Sequence, residues 1–308
     1  MRYFTTGSIR RRVFCLTLLA ALSACLPFNQ PTIPMATASM TRTLSIGTST
    51  PTVSSLPTVI PSSTLTPNPA PSCLSRPGRL VDGVVDTALL PKPMTYHVYL
   101  PPCYAEEQER RYPVLYLLHG QTYDEDQWIR LGAPSTADGL IVAGQVPPFI
   151  IVFPYDYSYL QPAQYRFEDV FLQVLVPQID MAYRTLSDAA HRAVGGLSRG
   201  GAWALHLGIR HPELFGTIGA HSPAIFYSDG MLPLRLSKIS PEQLPRIYID
   251  VGDADSELQT SREFKSVLDR YNIPYEWHEY IGFHNEAYWG AHVEEYLRWY
   301  AQGWQSNP

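Results

Sequence analysis

Residues 191–209 read HRAVGGLSRGGAWALHLGI and combine three local signals. A short β-type run at 191–195 leads into residues 196–200, which fit the pattern G-x-S-x-G, and an apolar helical run at 202–209 follows at once. A strand, a sharp glycine turn and a helix in this order are typical of an elbow that exposes a serine on a strained backbone. The same pentapeptide also fits an ordinary glycine-rich turn, so its surroundings have to decide between the two interpretations.

Strand and helix signals alternate on both sides of this segment. Apolar or β-rich runs predict strands at residues 96–100, 113–118, 149–153, 218–222, 247–251 and 275–280. Helical spacing predicts helices at residues 169–183, with a kink at Pro177, and at 257–271 and 291–302. This alternation predicts an α/β fold with a mostly parallel central sheet and helices on both faces. Ligands bind such sheets at the carboxyl ends of the strands, so the loops there should carry any chemistry.

Charge is distributed unevenly along the 308 residues. All 28 acidic residues lie in residues 76–308, together with 18 of the 23 basic ones, so this part has a net charge of −10. An acidic body without a basic stripe argues against nucleic-acid binding, because phosphate neutralisation needs clustered cations. We also find no apolar run of the ~18–20 residues that a membrane-spanning helix requires.

The N-terminus resembles an export signal. Arginines at 10–12 precede a 12-residue apolar run at 13–24, which ends in Leu22-Ser23-Ala24-Cys25. Small residues before a cysteine resemble the lipobox of bacterial lipoproteins, in which the cysteine is acylated. We therefore expect residues 1–25 to be a lipoprotein signal peptide, Cys25 to be lipidated, and the protein to be exported and anchored outside the cytoplasm by that lipid alone. A plain secretory signal is the alternative, and the general and twin-arginine routes both remain open.

A Ser/Thr/Pro-rich segment follows, in which Arg42 is the single charged residue between positions 26 and 75. Such a composition cannot bury enough apolar surface to fold, so residues 26–75 are predicted to be a disordered tether and residues 76–304 the folded domain. Cys73 and Cys103 are a candidate disulfide in an exported protein. Two free thiols are the alternative.

A serine hydroxyl needs a base, and the base needs an acid that orients it. His284 lies in the loop after the last predicted strand, where the base of such a fold belongs, whereas the other downstream histidines fall in predicted helices or strands. The acid should follow the strand at 247–251. Asp255 is the preferred candidate for this acid. Asp253 is the second, although we expect it to support its turn through local backbone hydrogen bonds. Asp250, within the strand, is a weaker third.

The oxyanion of a tetrahedral intermediate needs two N–H donors. One candidate is the backbone N–H of Arg199, directly after the serine, and the other is that of Gln121, in the loop after the strand at 113–118. His119 is expected to be structural. The sequence shows no His-x-x-x-His or paired-cysteine spacing, so we expect neither a metal nor another cofactor.

Several motifs together resemble the esterase family of α/β-hydrolases, which includes feruloyl and acetyl-xylan esterases, enterochelin esterase, S-formylglutathione hydrolase and the mycolyltransferases. The motifs occur in family order at residues 99–104, 117–120 with Trp128, 183–185, 195–201, 211–215, 252–255 and 282–284 with Trp289. The resemblance implies the α/β-hydrolase fold, with Ser198 as nucleophile, His284 as base and Asp255 as acid. Asp255 carries over because it stands three positions after Gly252, as in the family's glycine-x-x-aspartate turn.

Two positions depart from the family pattern. Arg199 stands where many members have methionine, and we expect its side chain to change the edge of the pocket. Phe283 stands where members often have a second glycine before the histidine. These departures make transfer from any one subfamily unsafe.

The expected activity is that of a serine esterase, which cleaves carboxylic esters through an acyl-enzyme. The expected substrates are small-molecule or carbohydrate-linked esters, with acyl or feruloyl groups on carbohydrate-like or siderophore-like scaffolds. An acyltransferase of the mycolyltransferase type uses the same triad and is the alternative. A non-catalytic binding lipoprotein on the cell surface is an alternative of another class. Residues 155–165, YDYSYLQPAQY, predict either an aromatic wall for the ligand or a tyrosine-rich surface loop, and the oligomeric state is not predicted.

Overall fold

The structure is a computed structural model that describes residues 72–305. The predicted signal peptide, Cys25 and most of the predicted tether lie outside these residues. Four residues assigned to the tether, Ser72–Ser75, form a short 3₁₀ helix, so regular structure begins just before the predicted boundary. Within residues 72–305 no helix is both long and apolar enough to cross a membrane.

Eight strands form one sheet. They are β1 Arg79–Val85, β2 Met94–Leu100, β3 Val114–Leu118, β4 Ile150–Pro154, β5 Arg192–Leu197, β6 Thr217–His221, β7 Arg246–Gly252 and β8 Glu276–Tyr280. Their order in space is β1-β2-β4-β3-β5-β6-β7-β8. The β1–β2 and β2–β4 pairs are antiparallel and the five others are parallel. The mostly parallel sheet is thus confirmed, with β1 as an additional strand.

Helices cover both faces of the sheet. They are α1 Gln127–Arg130, α2 Ala133–Val142, α3 Phe167–Val170, α4 Val176–Ala182, α5 Arg199–Arg210, α6 Pro233–Leu236, α7 Leu258–Arg270 and α8 Glu286–Gln302. One apolar core contains buried residues of α3, α4, α5 and α7, and a second contains those of α2 and α8. Alternate residues of the central strands enter the two cores, as a sheet covered on both faces requires.

The predicted kink at Pro177 is a change of helix type. One turn of π-helix, Phe171–Leu175, separates α3 from α4, and Pro177 lies in the first turn of α4. Proline has no N–H to donate, so the regular hydrogen-bond ladder cannot run through it. The segment predicted as one helix therefore has three parts.

The C-terminal helix reaches the middle of the sheet because two strands carry glycine there. A Cβ atom on Gly195 of β5 would lie 1.9 Å from the Tyr300 hydroxyl, and one on Gly219 of β6 would lie 1.8 Å from it. Both distances are far below van der Waals contact, so these glycines create the space that Tyr300 fills. The hydroxyl then pairs with the ring of His221 at 3.1 Å.

Cys73 and Cys103 form a disulfide, as predicted. The bond ties the first described turn to the loop after β2, and both residues are buried. Covalent closure of this loop stabilises the fold mainly by restricting the unfolded chain.

Candidate active site

Ser198 stands at the junction of β5 and α5 in a strained conformation. Its φ is +53° and its ψ is −118°, a region that residues with a Cβ atom rarely occupy. The turn is tight because a Cβ atom on Gly196 would lie 2.4 Å from the Gly200 backbone, and one on Gly200 would lie 2.2 Å from the Leu118 carbonyl oxygen. Local geometry therefore matches an elbow rather than an ordinary glycine-rich turn.

The structure brings Ser198, His284 and Asp255 into one hydrogen-bonded line. Ser198 Oγ lies 2.8 Å from His284 Nε2, and His284 Nδ1 lies 2.8 Å from Asp255 Oδ1. Ser198 follows β5, Asp255 follows β7 and His284 follows β8, so all three lie at the carboxyl edge of the sheet. Nucleophile, base and orienting acid are thus within direct hydrogen-bond reach.

The surroundings of Asp255 favour the ionised form of its carboxyl group. Its side chain is fully buried, and burial by itself raises the pKa of a carboxyl group. Hydrogen bonds from His284 and from the backbone N–H of Glu257, at 2.7 Å, outweigh that effect and hold the pKa of Asp255 below its ordinary value. An ionised carboxylate here keeps a proton on His284 Nδ1 and leaves Nε2 free to accept one from Ser198.

The two other candidate acids have separate structural roles. Asp253 accepts a hydrogen bond from the Gly282 backbone N–H at 3.0 Å, which joins its turn to the loop that carries the histidine. Asp250 is completely buried in β7 and lies 2.6 Å from His221 Nδ1. It also accepts hydrogen bonds from the hydroxyls of Tyr288 and Tyr296.

The proposed oxyanion donors lie on segments next to the serine. A Cβ atom on Gly120 would be 3.5 Å from Ser198 Cβ, so the loop after β3 borders the elbow. The Gly120 N–H itself donates to Gln127 Oε1 at 2.8 Å, which leaves Gln121 as the next N–H along the chain. Arg199 begins α5, and the first N–H groups of a helix have no acceptor within it.

The Arg199 side chain is buried and held by the loop after β4. The guanidinium is buried and donates from Nε to Asp156 Oδ2 at 2.8 Å and from Nη2 to the Leu160 carbonyl at 2.8 Å. The indole of Trp203 donates to the same Asp156 oxygen at 2.7 Å. The side chain therefore fastens the loop after β4 to the helix that begins at the nucleophile. No spacing signal pointed to Asp156.

The tyrosine-rich segment 155–165 contains both buried and exposed rings. Tyr165 is buried, Tyr155 and Tyr157 are half-buried, and the rings contact one another at centroid distances of 6.1 and 5.6 Å. Tyr159 is 61% exposed. The buried and half-buried rings thus support the loop, while the Tyr159 ring faces solvent.

Other exposed aromatic side chains lie on neighbouring loops at the same edge of the sheet. Tyr227, after β6, is 97% exposed, and Phe283, after β8, is 63% exposed. The Tyr227 N–H donates to Gln161 Oε1 at 3.1 Å, which connects two of these loops. The loops at the carboxyl edge of the sheet thus carry exposed aromatic side chains.

A cluster of charged groups links α3 and α5 away from the triad. Glu168 accepts hydrogen bonds from His206, Arg210 and His211, and His206 also pairs with Asp229 at 2.6 Å. Burial raises the pKa of Glu168, but these hydrogen bonds outweigh it and hold the pKa well below the ordinary value. Burial lowers the pKa of His206, and its two carboxylate partners raise it by more. The lowered pKa of Glu168 and the raised pKa of His206 favour an ion pair between α3 and α5.

We find no group of three or more His, Cys, Asp or Glu side chains placed to hold a metal ion within residues 72–305. A cavity of about 640 Å³ lies at the opposite edge of the sheet, where Thr217 begins β6 and Arg246 begins β7. Its position separates it from the three residues of the triad.

Residues 87–300 match the model of the family described as "Putative esterase". The chain belongs to this esterase family. The match covers the elbow, the acid turn and the histidine loop, and it confirms the family resemblance of the sequence motifs.

Curated relatives of this chain include a larger protein of Xylanibacter ruminicola, named endo-1,4-beta-xylanase/feruloyl esterase. It is 33% identical over 176 residues, which cover 54% of this chain and 23% of the relative. An esterase of Mycobacterium tuberculosis is 28% identical over 57% of this chain and 49% of its own. The chain thus spans about a quarter to a half of the length of these relatives.

Solved structures similar to this chain confirm the α/β-hydrolase fold. A ferulic acid esterase superposes with a TM-score of 0.66 at 24% identity, covering 74% of this chain and 98% of that one. S-formylglutathione hydrolase from Staphylococcus aureus superposes with a TM-score of 0.62 at 18% identity, covering 73% and 98% of the two chains.

Proposed function

We propose that the protein is a serine esterase that hydrolyses carboxylic esters through a covalent acyl-enzyme. The observation that carries this proposal is the hydrogen-bonded line from Ser198 through His284 to Asp255, with Ser198 on a strained elbow. Membership of the esterase family supports the same activity. A binding protein has no need of a strained serine held 2.8 Å from a histidine.

In the proposed mechanism, Ser198 Oγ attacks the ester carbonyl carbon while His284 Nε2 takes the hydroxyl proton. The N–H groups of Arg199 and Gln121 stabilise the negative charge that develops on the carbonyl oxygen. Collapse of the tetrahedral intermediate breaks the ester bond, and the leaving alcohol receives the proton from His284. Water then attacks the acyl-serine with His284 as base, which releases the acid and restores the hydroxyl. Asp255 stabilises the imidazolium in both halves.

We infer that the substrates are acyl esters on carbohydrate-like scaffolds, with aromatic acyl groups such as feruloyl among them. Exposed rings at Tyr159, Tyr227 and Phe283 offer flat apolar surface to an aromatic acid or to the face of a sugar. The name of the Xylanibacter ruminicola relative, which pairs a xylanase with a feruloyl esterase, supports the same class.

The test compares the full-length chain with Ser198→Ala on p-nitrophenyl acetate, p-nitrophenyl butyrate and methyl ferulate. We expect hydrolysis by the wild type, its loss in the variant, and labelling of Ser198 by a fluorophosphonate. Labelling without hydrolysis, followed by ester formation when a sugar acceptor is added, would replace hydrolysis by acyl transfer. A folded wild type that neither labels nor hydrolyses any ester would leave only a binding role.

We also propose that the protein is an exported lipoprotein, acylated at Cys25. The basic residues at 10–12, the apolar run at 13–24 and the small residues before Cys25 support this proposal. The Cys73–Cys103 disulfide supports it as well, because such bonds persist in oxidising compartments. Mass spectrometry of the mature chain should find a diacylglyceryl group on an N-terminal Cys25. An unmodified Cys25 would refute lipidation, and an intact N-terminus in the cytoplasm would refute export.

A further inference from the structure

The peptide unit between Gly120 and Gln121 carries one of the proposed oxyanion donors. A trans peptide is planar, and its C=O and N–H point in opposite directions. A group that holds the Gly120 carbonyl therefore also fixes the direction of the Gln121 N–H. A flip of this single peptide would turn the donor away from the substrate without any change in the triad.

His119 holds that carbonyl. Its ring is buried, Nε2 accepts the backbone N–H of Asp156 at 2.9 Å, and Nδ1 lies 2.7 Å from the Gly120 carbonyl oxygen. Burial lowers the pKa of His119, so the ring is neutral at pH 7 and has one donor and one acceptor. Because Nε2 is the acceptor, Nδ1 carries the proton and donates to Gly120.

The backbone N–H that sets this tautomer is itself anchored. The Asp156 carboxylate receives Arg199 Nε and Trp203 Nε1, and the Arg199 and Asp156 side chains are only 5% and 4% exposed. Arg199 supplies the other proposed oxyanion donor through its own N–H. One buried chain of hydrogen bonds thus connects the two donor residues.

We propose that His119, supported by the Asp156–Arg199 ion pair, is a positioning residue that holds the Gly120–Gln121 peptide in the orientation needed for the oxyanion hole. This inference rests on the proposed esterase function. The Tyr123 N–H also donates to the Gly120 carbonyl, at 3.3 Å, so loss of His119 weakens the orientation without abolishing it.

The experiment compares His119→Leu and His119→Asn in the full-length chain, using p-nitrophenyl acetate and its thionoester. Leucine has no polar group, whereas the amide of asparagine places a donor near the position of Nδ1. A thiocarbonyl sulfur accepts hydrogen bonds weakly, so the preference for the oxoester reports the oxyanion hole. Removal of one donor lowers kcat by about 10²–10³-fold. We therefore expect His119→Leu to lower kcat on the oxoester by about 10–10²-fold. The same variant should leave KM and the thionoester rate nearly unchanged. His119→Asn should regain most of the lost kcat.

His206→Leu is the matched control. It also removes a buried imidazole that bridges two polar partners, but these partners belong to the cluster between α3 and α5. We expect it to lower thermal stability and to keep the oxoester preference of the wild type. If His119→Leu does not fold, Arg199→Met carries the test, because it keeps the backbone donor and removes the ion pair. It should lower the oxoester preference by a smaller factor.

Equal losses on oxoester and thionoester would overturn the proposal, because they would indicate general structural damage. An unchanged preference in folded His119→Leu, or in Arg199→Met where that variant carries the test, would overturn it too. Both results require an active wild type, so they are distinguishable from failure of the proposed function, in which the wild type neither hydrolyses esters nor labels at Ser198.

Discussion

Replacement of Ser198 by glycine is expected to stabilise the fold while it abolishes activity. The backbone at this residue has a φ of +53° and a ψ of −118°, which glycine adopts without a steric penalty. Replacement by alanine removes the same hydroxyl but keeps the Cβ atom and hence the strain. The two inactive variants therefore differ mainly in backbone strain.

The magnitude follows from two opposing effects. A non-glycine residue in such a region costs about 1–3 kcal/mol. Glycine loses more backbone entropy on folding than alanine, which costs about 0.5–1 kcal/mol. We expect Ser198→Gly to exceed Ser198→Ala by about 0.5–2 kcal/mol in free energy of unfolding. At about 2–4 °C per kcal/mol for a domain of this size, this difference raises Tm by roughly 1–8 °C.

The assay is chemical and thermal unfolding followed by circular dichroism, with the disulfide intact. Ser266 provides a control of opposite sign, because it is an exposed residue inside α7. Ser266→Gly should therefore be about 1 kcal/mol lower in free energy of unfolding than Ser266→Ala. If Ser198→Gly is no more stable than Ser198→Ala while the Ser266 pair behaves as expected, the backbone at Ser198 is not strained and the reasoning fails.

Three further predictions concern stability. Gly219→Ala should destabilise the fold by about 1–3 kcal/mol, because its Cβ atom would lie 1.8 Å from the Tyr300 hydroxyl. Adding Tyr300→Ala to the same chain should relieve much of that penalty. Cys73→Ser with Cys103→Ser should lower the free energy of unfolding by about 2–4 kcal/mol, since the bond closes a loop with a sequence separation of 30. Glu168→Gln should destabilise the fold at pH 7, and the loss should shrink progressively as the pH falls below about 4.5. The reason is that the folded state lowers the pKa of Glu168, so its carboxylate contributes stability above its ordinary pKa and loses that contribution in acid.

Each of these has a contradicting result, measured by denaturant unfolding. Additive effects of Gly219→Ala and Tyr300→Ala would mean that the two residues do not compete for the same space. Equal midpoints with and without the disulfide would mean that the bond does not restrict the unfolded chain. A Glu168→Gln effect that is constant from pH 7 to pH 3 would mean that the carboxylate charge is not what stabilises the cluster.

The candidate triad was predictable because its residues follow strands that apolar or β-rich runs predict. The choice among the three acids also had a physical basis, since Asp250 lies within a buried strand and Asp253 in a tight turn. Their partners were not readable, because Asp250 pairs with His221 29 positions away and Asp253 with Gly282 at the same separation. Such pairings depend on how strands are ordered in the sheet.

The parts that sequence patterns missed are irregular or long-range. Strand β1 contains Asp82 and Gly83, and as an edge strand it alternates between exposed and half-buried residues instead of forming an apolar run. Helix α2 includes Gly139 and a proline in its first turn, which weaken a helical pattern. The ion pair of Arg199 was not predicted, because its partner Asp156 is 43 positions away. A buried guanidinium has no local signature.

The contact of Tyr300 with the sheet has a consequence for the order in which the chain is made. Tyr300 lies 79 positions after its partner His221, and α8 follows every residue of the candidate triad. Synthesis from the N-terminus thus produces Ser198, Asp255 and His284 before the helix that fills the space above the two glycines. A chain cut short just before α8 would keep all three residues and lack the packing that closes one face of the sheet. Completion of the last helix therefore sets the earliest moment at which a newly made molecule can become a stable, active one.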